Sequence, residues 1–219
     1  MAIKIEKVDI FGWEAAIRGL RNPLNSWDKS DSLFTMGDNF IGENDLALMR
    51  KLVNAGSDHS KFMRMINVTL DITAPLYWWK EFDTYKVGTV ANSCSTMHKI
   101  HAKKFTLDDF SRDHLFDGVN RCEKGRGDDE IWENPTTYLE TIVNILNYYR
   151  EKFIADGDKS YWWQLIQLLP SSYNQKRTVQ LNYAVLRNMY HSRKNHKLDE
   201  WHTLCEWIEG LPYSELITA

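Results

Sequence analysis

Residues Leu169–Trp207 read LPSSYNQKRTVQLNYAVLRNMYHSRKNHKLDEWHTLCEW. Val179, Tyr183, Leu186 and Tyr190 recur at i, i+4, i+7 and i+11, one apolar stripe of an α-helix with about 3.6 residues per turn. The spacing predicts a helix over 175–192, with Arg193 where the stripe would continue. Asn182 and Arg193 would then point almost the same way, about 16 Å apart along the axis. Such an amide and guanidinium could span a ligand. Equally, Asn182 could bond neighbouring backbone while Arg193 answers the negative end of the helix. A further helix is predicted over 198–209, where Asp199-Glu200-Trp201-His202 supply its first turn.

Upstream, helices are predicted over 136–153 (Leu139, Ile142, Val143, Leu146 and Tyr149 inward) and 160–169. The first third reads differently. Residues 4–10 alternate apolar and polar, a half-buried strand, and Gly12 then breaks the chain before a short helix ending near Pro23. Residues 25–42 are rich in Asn, Asp, Ser and Gly and read as a loop. Asn44 is the expected cap of a helix over 45–55. A second strand is expected over 63–73, rich in β-branched residues, after which Pro75 enters a helix carrying Trp78, Trp79 and Phe82. Thr106 is the expected cap of a short acidic helix over 107–116, and 117–133 reads as loop. Strands early and helices late predict an α+β fold: a small, mostly antiparallel sheet with packed helices, as a single domain over 1–219.

Composition narrows the function classes. A net charge of −3 leaves no basic footprint for nucleic acid and no polybasic patch for a membrane. No apolar run approaches the ~20 residues of a membrane span. Cys94, Cys122 and Cys205 are odd in number and scattered, so they form neither a disulfide framework nor a metal spacing, and the chain reads as cytoplasmic. The paired tryptophans Trp78-Trp79 and Trp162-Trp163 suit a core or interface, or the stacking of a planar ring.

Leu169-Pro170, Asn182, Asn188, Arg193 and Trp201 stand in an order and spacing that resembles the flavin-dependent thymidylate synthases. Upstream, His59-Ser60-Lys61 lies sixteen residues before Pro75, as a histidine-containing turn does in that family. Thr84-Tyr85-Lys86, Thr89, Asn92-Ser93, Ser95 and Met97-His98 occupy the place of the family's Arg-His-Arg signature and the Ser, Asn-Glu, Ser, Arg-Tyr series after it. The resemblance implies a homotetramer with sites between subunits. There, FAD, a reduced nicotinamide cofactor and a folate carbon donor methylate a pyrimidine deoxynucleotide without a protein nucleophile. It implies flavin contacts for His59, Ser60, Tyr85, Lys86, Asn182 and Asn188, and substrate contacts for Asn92, Ser93 and Ser95. Arg193 would polarise the pyrimidine carbonyl and is the residue implied for catalysis.

The chain also departs from that pattern. Thr84, Met97, Ile166 and Ala184 stand where the family carries arginine, and Ser93 where it carries glutamate. An arginine fork binds phosphate bidentately, which none of these side chains can do. Three readings follow: the phosphate is held differently, the substrate lacks it, or the chain is a catalytically inactive homologue that binds a nucleotide or a protein. Other candidates are weaker. His191, His196 and His202 do not share a helix face, and no metal is expected. Cys94 is a nucleophile only if a base such as His98 comes within reach. Asp108, Asp109, Asp113 and Asp117 with His114 read as a solvated face, and Gly125-Arg126-Gly127 is too short for a phosphate loop.

Overall fold

The computed structural model describes residues 3–35, 39–116, 121–124 and 130–219, with backbone only for 121–124 and 130–133. Helix and strand are mixed around a small antiparallel sheet, the α+β class read from the sequence. The four-stranded sheet has the order β1 (Lys4–Phe11), β4 (Asn67–Pro75), β8 (Asn174–Asn182), β5 (Val90–Ser93). Two short antiparallel pairs accompany it, β2 (Leu33–Phe34) with β3 (Asn39–Phe40) and β6 (Arg121–Lys124) with β7 (Glu130–Glu133). These pairs lie in segments whose composition reads as loop. Gly118, Gly125, Arg126 and Gly127, together with Asp117, fall outside the described residues.

Two compact units divide the described chain, one of residues 73–80 and 93–176, the other of 3–72, 81–92 and 177–219. In the first unit, α4 (Pro135–Asp156) and α5 (Lys159–Leu168) close a core of Ile100, Phe105, Phe110, Leu139, Val143, Leu146 and Leu165. Asn134 caps α4 by accepting from the Thr137 N–H. The buried Asn147 amide bonds both the N–H and the carbonyl of Phe105 at 2.9 Å, so a polar group inside this core is fully used. Thr106 and Asp109 form the expected cap. What they cap is one 3-10 turn, Leu107–Asp109, in place of the helix predicted to 116. Trp78 and Trp79 are fully buried, and Trp79 Nε1 donates to the Gln175 carbonyl; both are core residues.

The second unit carries α1 (Trp13–Arg21), α2 (Glu43–Asn54), α6 (Tyr183–Arg193), α7 (Asp199–Glu209) and α8 (Glu215–Thr218). Gly12 precedes α1 at φ 96°, where a Cβ would run into the Met65 carbonyl oxygen. The predicted strand over 63–73 begins later, at Asn67, because residues 60–64 close a 3-10 turn that buries Phe62 and Met63. Asn44 does not cap α2. Asp31 does so from the preceding loop, its carboxylate accepting the Asn44 and Asp45 N–H groups at 2.9 and 3.1 Å. Asp45 is itself a hub: it accepts from Arg21 Nε at 2.6 Å, Ser30 Oγ at 2.7 Å and Ser32 Oγ at 2.6 Å, and from the Asp31 and Ser32 N–H groups. Burial alone would raise its pKa, but the hydrogen bonds from Ser32, Ser30 and Arg21 outweigh that and hold it below the usual carboxylate range.

The largest correction concerns the stretch that opened the reading. Residues 174–182 are strand β8, and the helix begins only at Tyr183. Val179 and Leu181 are buried while Thr178 and Gln180 face out, a period of two. Asn182 and Arg193 therefore do not share one helix face.

Candidate functional site

Asn182 ends β8 with extended backbone and caps α6, its Oδ1 accepting the Val185 N–H at 3.1 Å. The capping reading of this residue is the one its geometry supports. Six residues later Asn188 is exposed on α6, with Ser192 Oγ at 3.4 Å from its Oδ1. Gly88, at φ 79°, lets the turn before β5 pass close to this helix start. A Cβ there would stand 3.1 Å from Asn182 Nδ2 and from Val185 Cγ2.

Arg193 lies in the last turn of α6 and gathers residues from three parts of the second unit. Its Nε donates to Tyr85 Oη at 2.9 Å and its Nη1 to Glu81 Oε2 at 2.9 Å. The guanidinium also lies over two rings, 4.8 Å from the centroid of Trp201 and 5.5 Å from that of Tyr85. Glu81 Oε2 accepts a second bond from Trp201 Nε1 at 3.0 Å and stands 3.2 Å from His196 Nε2. His196 Nδ1 accepts the Leu198 N–H at 3.1 Å, which fixes the ring beside Glu81. One carboxylate oxygen thus accepts from Arg193 and Trp201, with the His196 ring beside it. Among the described residues, Arg193 Nη2 has no hydrogen-bond partner.

Of the sequence candidates, the structure brings Tyr85 and Arg193 into contact, with Lys86 the exposed residue after Tyr85. Asn92 is exposed on β5, and His59 and Ser60 lie at the start of the 3-10 turn over 60–64, Ser60 Oγ donating to the Ser57 carbonyl. Ser93 and Ser95 belong to the other unit, where Ser95 Oγ accepts the His98 N–H at 2.9 Å. Sequence reading missed Glu81, which holds Arg193 in place, and His196, which stands beside Glu81. The available signal was the acid on a helix facing a family arginine, and it needed the tertiary contact to be read. The positions that depart from the family pattern are also occupied: Thr84 Oγ1 donates to the Glu81 carbonyl, and Ile166 packs on the core of its own unit.

A cleft of about 550 Å³ in the second unit is lined by Ile17, Arg18, Trp27 and Phe34, among others. Cys94 is exposed, its N–H donating to Lys176, and among the described residues no group of three or more His, Cys, Asp or Glu is placed to hold a metal. No helix among the described residues is long and apolar enough to cross a membrane.

This arrangement of sheet and helices is the fold of the flavin-dependent thymidylate synthases. The chain is similar over its whole length to the flavin-dependent thymidylate synthase from Helicobacter pylori solved with FAD and dUMP. It shows 16% identity, a TM-score of 0.67, and coverage of 100% of this chain and 98% of that one. It is also similar to the UMP/dUMP methylase PolB from Streptomyces cacaoi bound with 5-Br UMP, at 14% identity and a TM-score of 0.57, covering 95% and 87% of the two chains. No protein-family model matches the sequence. No curated protein matches it either.

Proposed function

We propose that the chain is a flavin-dependent enzyme acting on the pyrimidine ring of a uracil-type nucleotide or nucleoside, methylating it from a folate donor with a reduced nicotinamide cofactor as reductant. The observation that carries this reading is Arg193, held on the second unit with Nη2 free to donate, in a unit that also exposes Lys86 and Asn188. Both solved relatives named above carry a uracil-type nucleotide, and one carries FAD.

The residues present fit a flavin. Asn188 offers an exposed amide, which both donates and accepts as the polar edge of a flavin ring requires, and Lys86 an exposed cation for its pyrophosphate. His59 and Ser60 are exposed or half-buried and would approach from another part of an assembly. Asn182 contributes mainly by fixing the start of α6, its Oδ1 being committed to the cap. Reduced flavin, when bound, supplies the reducing equivalents. The chain's own residues bind and orient: Arg193 Nη2 donates to a ring carbonyl, Tyr85 and Trp201 hold the guanidinium against their rings, and Asn92 contacts the sugar side.

The working form is a cytoplasmic homotetramer. Ile145 and Tyr148 are 39% and 55% exposed one turn apart on α4, and Trp163 and Leu168 are exposed on α5, an apolar face suited to a second copy of the chain. A second reading, a binding module without catalysis, is favoured by one observation: Arg193 is already answered by Glu81 and Tyr85 within the chain. The two separate on FAD. Purified protein incubated with FAD and desalted retains the cofactor if the enzyme reading holds, and Asn188→Ala retains less. A protein that passes the column without flavin at high cofactor concentration contradicts it.

A further inference from the structure

Resting on that reading of Arg193, we infer that Glu81 is a specificity-determining residue: it neutralises the guanidinium, so the ring it meets is an uncharged lactam and anionic rings are rejected. A guanidinium has five N–H donors, and it discriminates for anions when two parallel donors and a full positive charge face them. Here Nε is spent on Tyr85 Oη at 2.9 Å and one Nη1 donor on Glu81 Oε2 at 2.9 Å. With Nε engaged, the Nε/Nη2 edge no longer presents two free parallel donors. What remains is Nη2 and the second Nη1 hydrogen, on an ion pair whose net charge is zero, with Cζ 4.8 Å from the Trp201 ring centroid.

The carboxylate is fixed where it neutralises best. Trp201 Nε1 donates to Glu81 Oε2 at 3.0 Å, and the His196 ring, oriented by the Leu198 N–H, packs beside that oxygen with Nε2 at 3.2 Å. The side chain of Glu81 is only about a third exposed and that of Arg193 a fifth, so water screens this pair less than it would a surface pair. A neutral ring carbonyl meeting Nη2 gains one hydrogen bond without the cost of desolvating an ion. An anionic ring meets a pair that has no net charge to offer, and Glu81 repels it.

The test uses the full-length protein loaded with FAD and two probes of nearly the same shape, uridine and 6-hydroxyuridine. The ring of the second loses a proton below neutral pH and spreads the charge over its carbonyl oxygens. Wild-type protein is expected to bind uridine at least about tenfold more tightly, and Glu81→Gln, which keeps shape and an acceptor but leaves Arg193 cationic, should narrow that ratio at least about fivefold. Uridine binding with an unchanged ratio in Glu81→Gln overturns this inference alone. Binding of neither ring by wild-type protein overturns both it and the pyrimidine reading on which it rests. Should Glu81→Gln not fold, salt dependence in wild-type protein decides: 6-hydroxyuridine affinity should change less than about twofold between low and high salt, and a steep rise at low salt reveals an unneutralised cation and overturns the inference.

Discussion

Arg193 and Tyr85, 108 positions apart in sequence, are joined by a 2.9 Å hydrogen bond from Nε to Oη, with the guanidinium 5.5 Å from the tyrosine ring centroid. The turn that follows α3 (Leu76–Phe82) is thereby tied to the end of α6. Tyr85→Phe keeps the ring and deletes the acceptor, leaving a half-buried Nε–H unanswered. The expected cost is about 1 kcal/mol of stability, read as a lower urea midpoint with unchanged slope. An unchanged midpoint would mean that the bond is not populated in solution.

The Arg21–Asp45 pair is a different case, since both side chains are buried and the bond is 2.6 Å. Arg21→Met leaves the Asp45 carboxylate buried without its cation, and the expected loss is about 3–5 kcal/mol. The sign of the pH effect follows from the lowered pKa of Asp45. Its contribution is fully present above the ordinary carboxylate value and is lost as pH falls through the folded value. Wild-type protein should therefore lose stability as pH drops below about 4, and Asp45→Asn should give a less stable protein with a flatter acid limb. A variant with the same acid limb as wild type would assign that loss to other carboxylates.

Two asparagines on α6 should separate cleanly. Asn182→Ala removes a helix cap and should cost about 1 kcal/mol. Asn188 is exposed, with only the 3.4 Å Ser192 contact, so Asn188→Ala should change stability by less than about 0.5 kcal/mol while weakening FAD retention. Equal stability losses, or FAD retention unaffected by Asn188→Ala, would contradict the division of roles.

The cysteines should react in a fixed order. Burial, then the carboxylates of Glu209 and Glu206, push the Cys205 thiol up to about 11, so it stays protonated at neutral pH. Cys94 is exposed. Limited alkylation followed by peptide mapping should find Cys94 modified well before Cys205, and the reverse order would show that α7 opens in solution.

Much of the fold was legible because period and punctuation agreed. The alternation over 4–10 and the long apolar stripe of α4 appear as read, within a few residues at their ends. The β-branched run read over 63–73 is a strand shifted to Asn67–Pro75, with Pro75 closing it and the helix starting only at Leu76. The failure at 174–182 has a physical cause. Tyr183, Leu186 and Tyr190 belong to α6, and Val179 happens to fall in phase with them, so a helical period was extended backwards across a strand. The alternation of Thr178, Val179, Gln180 and Leu181 was the competing signal, too short to prevail over a stripe twice its length. The Asp31 cap, Glu81 as the partner of Arg193 and His196 beside Glu81 depend on contacts between distant segments, which local pattern does not encode.

The account stands most directly on whether bound flavin and a pyrimidine share the site that Arg193 builds. The deciding measurement is the visible absorption of FAD-loaded protein titrated with uridine and dUMP, for wild type and Arg193→Ala. The account predicts a saturable change in the flavin bands in wild-type protein that is absent in Arg193→Ala, with the flavin still bound. Flavin bands that ignore every pyrimidine, or that respond equally in both proteins, would contradict it.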